Sequence, residues 1–172
     1  KKNNPANIVF AVGGNQLKLN SDFFVEDLVN IDAFGFVIIK QICFLKKVLN
    51  KIKKCFIENK INKIILVDYY GFNINVAKLA RSMNIPVYYY VCPQIWASRR
   101  GRIKNIAKYV KTVYPILPFE KEIYEKENIK AVFEGNPLID IVPEPKHEKI
   151  TGNKIKIGLF AGSRKSVIKR HV

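Results

Sequence analysis

The residue with the clearest potential for chemistry is Asp68, which directly follows the apolar run Ile64–Val67. A continuous run of apolar, mostly β-branched residues predicts a parallel strand that is buried on both faces. In open α/β sheets the ligand crevice lies beyond the carboxyl ends of the strands, and Asp68 would sit there. Its carboxylate either takes part in chemistry or holds a loop in place.

A second candidate is the loop 93–102, which follows a further predicted strand over 87–92. It contains the only tryptophan, Trp96, and three arginines, among them Arg99 and Arg102. Arginine is suited to bidentate phosphate contacts, and tryptophan to stacking on a sugar or capping an acyl chain. The alternative is a core tryptophan beside solvated arginines. We expect this loop at the same sheet edge as Asp68, which favours a binding site.

A third candidate is the turn Gly162-Ser163-Arg164, which follows a predicted strand over 154–160. Gly-Ser followed by Arg at the start of a helix can cradle an anion. The segment 143–153 contains prolines, a glycine and mixed charges, which predict a linker. We therefore predict one domain over 1–142, a linker over 143–153 and the start of a second domain over 154–172.

The composition limits the classes of partner. Thirty Lys+Arg against 14 Asp+Glu give a net charge of +16, which favours nucleic acid, an acidic membrane surface or phosphorylated substrates. His147 and His171 lie far apart and the three cysteines form no Cys-x-x-Cys pair. We therefore expect no metal site, and free thiols in a reducing compartment. No apolar run is long enough to span a bilayer.

Predicted strands alternate with predicted helices along the chain, which is typical of a parallel, doubly wound α/β sheet. The predicted strands are 7–14, 64–67, 87–92, 112–117 and 131–135. The predicted helices lie within 31–60, over 74–83 and from 118 to about 128.

The clearest helix, within 31–60, has one apolar face and one lysine-rich face. The apolar face is formed by Leu45, Val48, Leu49, Ile52, Cys55 and Phe56, and the basic face by Lys46, Lys47, Lys51, Lys53 and Lys54. The pattern favours a helix that covers the sheet and has a solvated basic face. The alternative is a helix that rests on anionic lipid headgroups. The apolar patch over 34–39 is either core or an edge that meets an acyl chain.

Five ordered motifs together resemble the lipid-A-disaccharide synthase family, inverting glycosyltransferases with two Rossmann-like domains (GT-B). They are VDYYGFN at 67–73, YYVCPQIWASRRGRI at 89–103, LPFEKEIY at 117–124, EGNPLID at 134–140 and FAGSRKSVI at 160–168. The resemblance implies that this chain is the N-terminal, Rossmann-like half of a GT-B fold. It also implies that the opening strand with its G-E-x-S-G-D loop and most of the donor-binding domain are missing.

The resemblance further implies transfer of diacylglucosamine from UDP-2,3-diacylglucosamine to the 6-hydroxyl of 2,3-diacylglucosamine 1-phosphate, with release of UDP. The family works without a cofactor, as a peripheral protein at the cytoplasmic face of the inner membrane. Asp68 falls on the proposed general base, which fits the need of an inverting transfer for one proton acceptor. Substrate-binding positions of the family fall on Asn73, Trp96, Arg99, Arg102, Gly162, Ser163 and Arg164. We expect that the 172 residues alone do not catalyse this transfer.

This sequence departs from the family pattern at several motif positions. Gly71 replaces a second carboxylate, Tyr69 and Tyr70 replace a small residue and a proline, Ser98 an aromatic, Asn136 a histidine, Ala161 a proline and Val167 a glutamate. These changes leave open the interpretation that the chain is a degenerate copy without activity.

Further alternatives are another GT-B glycolipid transferase and a non-catalytic basic module that binds anionic lipid or nucleic acid. We expect no specific nucleic-acid partner, because no recognisable motif is present. Nothing in the sequence specifies an oligomeric state.

Overall fold

The computed structural model describes residues 8–28 and 38–143, except for the side chains of 38–40. The chain divides into one compact unit, Lys1–Ile139, and a second, Asp140–Val172. Of the second unit only residues 140–143 are described. The predicted linker and second domain lie almost entirely beyond them, so the predicted domain boundaries stay a prediction.

Short parallel strands alternate with helices through the first unit. In chain order the elements are β1 (Phe10–Gly13), α1 (Asn15–Asn20), β2 (Phe23–Asp27), α2 (Ile38–Glu58), β3 (Ile64–Val67), α3 (Tyr70–Ser82), β4 (Val87–Tyr90), α4 (Arg102–Tyr109), β5 (Thr112–Tyr114) and α5 (Pro118–Glu125). Strand β1 pairs with β2, and β3, β4 and β5 form a second sheet in that order, with every pair parallel. The predicted α/β, Rossmann-like class with flanking helices is confirmed.

Helices α2 and α3 and the strands β3, β4 and β5 contribute buried apolar residues to one shared core. Helix α2 buries Val48, Ile52 and Phe56, three of the six residues of its predicted apolar face, while the five lysines of the predicted basic face are exposed. The ion pair between Lys51 and Glu26 of β2 joins this helix to the first sheet. The prediction that α2 covers the sheet with a solvated basic face is therefore confirmed. The predicted patch over 34–39 lies outside the residues whose side chains are described.

Strand β3 differs from the prediction in its burial. Ile64 and Leu66 are buried, but Ile65 and Val67 are 66% and 47% exposed. The run is continuous in apolar residues, yet the helical layer covers only the face that carries Ile64 and Leu66. The prediction of a strand buried on both faces is therefore wrong for the described residues.

Several predicted boundaries move because of local backbone geometry. Helix α3 begins at Tyr70 instead of residue 74, and β4 ends at Tyr90 because Val91 adopts a left-handed φ of 51°. Strand β5 ends at Tyr114, before Pro115, which has no N–H to donate. The strand predicted over 131–135 is reduced to one bridge, between Ala131 and Val113.

Three elements were not predicted at all: α1, β2 and α4. Each is short, at six, five and eight residues, so its hydrophobic period is too brief to distinguish it from a loop. Among the described helices, none combines the length and the apolar character that a membrane span requires.

Candidate functional site

Asp68 lies in a tight left-handed turn at the carboxyl end of β3. Both Asp68 and Tyr69 have positive φ values, 46° and 41°. Residues other than glycine are disfavoured there by about 1–2 kcal/mol each, so the turn must be held by its surroundings. The carbonyl of Tyr69 accepts hydrogen bonds from the amides of Phe72 and Asn73, at 3.2 and 3.1 Å, which starts α3 immediately after the turn.

Two side chains hold this turn through its main-chain carbonyls. The Asn73 side-chain amide donates to the carbonyl of Asp68 at 2.7 Å and to that of Val67 at 3.0 Å. The Tyr89 hydroxyl donates to the same Asp68 carbonyl at 2.6 Å. On the other side, the Asp68 amide donates to the carbonyl of Tyr90 at 3.2 Å. The backbone of Asp68 is thus fixed from three directions, while the residue itself is exposed to solvent.

Tyr89 belongs to the site although its motif did not single it out. Its side chain is fully buried in β4, and this burial raises the pKa of its hydroxyl well above the ordinary value. A buried tyrosine needs a partner for its hydroxyl, and here that partner is the Asp68 carbonyl. The signal in the sequence was the hydroxyl-bearing run 88–90 inside a strand of the core.

Arg102 is connected to the segment that follows Asp68 by a contact with Tyr70. The Arg102 guanidinium carbon is 4.5 Å from the centroid of the Tyr70 ring, a cation–π distance. The Asn105 amide donates to the Tyr70 hydroxyl at 3.1 Å, so two residues of α4 hold one tyrosine of α3. The N-terminal ends of α3 and α4 therefore meet at this edge of the sheet. Arg99 is exposed, with a left-handed φ of 56°.

Trp96 lies in the same loop as the arginines and is 44% exposed. Its indole N–H donates to a carboxylate oxygen of Glu120 at 2.9 Å, and its ring meets Phe119 edge-on at 5.2 Å. Glu120 itself is 1% exposed. The motif 117–124 contains this glutamate, but its burial could not be predicted, because it depends on where α5 packs.

The structure thus brings Asp68, Asn73 and Arg102 into one neighbourhood, at the ends of β3 and α4. The predicted contacts of these residues with substrate stay predictions, as do those of Trp96 and Arg99. Gly162, Ser163 and Arg164 lie outside the described residues. Within residues 8–28 and 38–143, no three His, Cys, Asp or Glu side chains are grouped so as to hold a metal ion.

Comparison with known proteins agrees with the motif pattern. The family model for lipid-A-disaccharide synthetase matches residues 1–172, the whole chain. A lipid-A-disaccharide synthase from Trichlorobacter lovleyi is 33% identical over 96% of this chain and 45% of the relative. Relatives of the same name from Coxiella burnetii and Geobacter metallireducens are 35% and 34% identical, over 85% and 94% of this chain.

The chain spans less than half of the length of these relatives, between 42% and 45%. The match nevertheless covers nearly all of this chain and includes the turn at Asp68 and the Trp/Arg loop. The chain therefore belongs to the lipid-A-disaccharide synthetase family.

Proposed function

We propose that this chain is the acceptor-side part of a glycosyltransferase of lipid A biosynthesis. The enzyme would transfer diacylglucosamine from UDP-2,3-diacylglucosamine to 2,3-diacylglucosamine 1-phosphate and release UDP. Family membership and the names of the relatives support this assignment. The observation that carries it is an exposed carboxylate, Asp68, on a turn whose backbone is fixed by Asn73 and Tyr89.

In the proposed step Asp68 acts as the general base. Its carboxylate accepts the proton of the acceptor 6-hydroxyl as that oxygen bonds to the anomeric carbon of the donor. The bond between the anomeric carbon and the diphosphate breaks on the opposite face, and UDP leaves with the electron pair. Because the backbone of Asp68 is fixed by its hydrogen bonds, little conformational freedom has to be lost when the acceptor binds.

The arginines at the same edge are suited to the phosphate groups of the substrates. The Arg102 guanidinium lies over the Tyr70 ring, so its position is restrained before a phosphate arrives. Arg99 is exposed on the preceding loop, and we assign both to the acceptor phosphate. Gly162, Ser163 and Arg164 are proposed to bind the donor diphosphate, as the sequence prediction of an anion-binding turn before a helix suggests.

The test is substitution of Asp68 in a transferase that contains this chain together with a complete nucleotide-sugar-binding half. Asp68→Asn keeps the shape of the side chain and removes the base, so we expect UDP release to fall at least about 100-fold. The melting temperature should stay unchanged, because the carboxylate is exposed. The matched control is Glu127→Gln, an exposed carboxylate after α5. Near-normal transfer by Asp68→Asn would remove the base assignment.

The isolated chain provides a second test of the assignment. Given both substrates, the 172 residues should release no UDP, because the site proposed for the UDP moiety belongs largely to the other half. UDP release at a rate comparable to that of a complete transferase would contradict the proposal that this chain binds the acceptor and the other half binds the UDP moiety.

We also propose that the protein works peripherally at the cytoplasmic face of the inner membrane, with anionic lipid as its partner. Helix α2 is 21 residues long, with Lys46 and Lys53 exposed. Ile42 and Ile57, 47% and 59% exposed, fall on the same side at helical spacing. Exposed apolar residues that flank lysines are suited to an anionic bilayer surface.

Vesicle binding distinguishes this partner from nucleic acid. Binding to vesicles of anionic, acyl-bearing lipid should survive in part at high salt, since buried acyl surface is not screened. Binding to nonspecific DNA or RNA should instead weaken steeply as salt rises. Ile42→Ser with Ile57→Ser should remove the salt-resistant part. If the binding to vesicles vanished at high salt in the wild type, the charge alone would account for it.

A further inference from the structure

We propose that Glu120 is a positioning residue, which holds the Trp96 indole and with it the loop 93–102 at the edge of the site. The inference rests on the proposed function, in which this loop contacts the phosphorylated glycolipid acceptor. Glu120 itself would touch no substrate, because it is buried beneath the loop. Its effect on the reaction would be exerted through Trp96.

Both carboxylate oxygens of Glu120 are engaged. One accepts the indole N–H of Trp96 at 2.9 Å, and the other accepts the main-chain N–H of Leu117 at 3.2 Å. A carboxylate that is 1% exposed is costly to bury unless such donors compensate for the lost water. The bond from the Leu117 amide fixes the carboxylate at the start of α5. The oxygen that accepts the indole N–H can therefore orient Trp96.

Helix α5 contacts the loop at a second point. Tyr124, four residues after Glu120 and also 1% exposed, donates its hydroxyl hydrogen to the carbonyl of Pro93. Residues four apart lie on one face of a helix, so one face of α5 holds both the beginning and the middle of the loop. Phe119 adds an edge-on ring contact to Trp96.

Stability alone explains this arrangement poorly. A buried carboxylate contributes little net stability, and a well-packed apolar residue in its place is often as stable or more so. The carboxylate instead orients the indole, because its hydrogen bond keeps the indole N–H pointing inward. Trp96 stays 44% exposed in that orientation. An exposed aromatic ring held in this way is suited to stacking on a sugar ring or covering an acyl chain.

Fluorescence tests the contact directly, because Trp96 is the only tryptophan in the chain. Glu120→Ala should raise acrylamide quenching about twofold, since a ring that is 44% exposed would become almost fully accessible. Glu120→Gln keeps one oxygen that can accept the indole N–H but loses the bond from the Leu117 amide, so its quenching should lie between the wild-type and the alanine values. Val48→Ala, a fully buried residue of α2, should lower the melting temperature without changing the quenching. Unchanged quenching in Glu120→Ala would overturn the proposal.

Kinetics of the transferase with both halves test the role. Glu120→Ala should raise the KM for the acceptor about tenfold, as expected for a displaced binding loop, with the KM for the donor unchanged. Glu120→Gln, which keeps one of the two acceptor oxygens, should restore part of the loss, and Glu122→Gln, an exposed neighbour, should have no effect. An unchanged acceptor KM in a variant with raised quenching would refute the positioning role. Absence of transfer by the wild type would refute the proposed function, and the quenching experiment would still decide whether Glu120 holds Trp96.

Discussion

The side-chain amide of Asn73 lies 2.7 Å from the main-chain carbonyl oxygen of Asp68 and donates a hydrogen bond to it. The same amide also donates a hydrogen bond to the carbonyl of Val67, and the Tyr89 hydroxyl donates one to the carbonyl of Asp68. A residue in the first turn of α3 thus fixes the left-handed turn from which the helix starts. The proposed base is positioned through its backbone, and this leaves its carboxylate exposed.

Substitution of Asn73 should therefore destabilise the fold as well as the site. Asn73→Ala removes two hydrogen bonds from a strained turn, and we expect a loss of about 1–2 kcal/mol in the free energy of unfolding. Asn73→Asp should destabilise more, because a carboxylate cannot donate to the two carbonyls. Urea denaturation measures both effects.

The matched control for Asn73 is Asn75→Ala. Asn75 is exposed, and its amide donates only within the helix, to the carbonyl of Gly71 at 3.2 Å. Its replacement should change the free energy of unfolding by less than about 0.5 kcal/mol. Equal losses for the two alanine variants would show that Asn73 does not hold the turn.

Gly71 should tolerate a side chain. It lies at the second position of α3, is exposed, and a Cβ built there meets no atom within 4 Å. Gly71→Ala should stabilise the protein by roughly 0.5–1 kcal/mol through helix propensity. Gly71→Asp should do so as well, because a carboxylate in the first turn of a helix interacts favourably with the helix dipole. Thermal melting at low salt measures both, and a loss of stability in either variant would contradict the open geometry.

Arg102 should not be replaceable by lysine. Its guanidinium lies over the Tyr70 ring, and a lysine ammonium cannot make a bidentate phosphate contact from that position. In a transferase with both halves, Arg102→Lys should lower kcat/KM for the acceptor about tenfold, since a bidentate charged contact is lost. Arg100→Lys, an exposed neighbour in the same loop, is the control. Equal activity of the two variants would rule out a specific role for Arg102.

Burial of Cys92 should make stability fall at alkaline pH. Desolvation raises the pKa of its thiol from 9.0 to about 12. Because the folded pKa lies above the unfolded one, this contribution is fully present below pH 9 and is lost as the pH rises towards 12. Burial raises the pKa of Tyr89 and Tyr124 as well, which adds to the fall.

The pH dependence of unfolding isolates the part due to Cys92. Between pH 9 and 11, Cys92→Ala should reduce the slope of unfolding free energy against pH by close to one proton, about 1.4 kcal/mol per pH unit. Val48→Ala, which also truncates a fully buried side chain but removes no thiol, should leave the slope unchanged. The same slope in wild type and Cys92→Ala would contradict the buried, neutral thiol.

The sequence was most informative where its signal was long or repeated. The 21-residue amphipathic α2 has enough turns for its period to be unambiguous, and its predicted face is the one that packs. The run Ile64–Val67 had the predicted bounds, but its burial on one face only could not be read from apolar residues alone. Short elements such as α4 were missed because eight residues span too few helical turns to show a periodic pattern.

By itself the sequence determined the α/β class, the order of the main strands and helices, the family, and Asp68 as the candidate base, because these depend on local patterns and on motif order. Only the tertiary structure decided which groups surround that base and which group holds Trp96. The bond from Tyr89 to Asp68 joins residues 21 positions apart, and that from Trp96 to Glu120 joins residues 24 apart. Such contacts depend on strand register and helix packing, which place distant residues together and leave no local pattern in the chain.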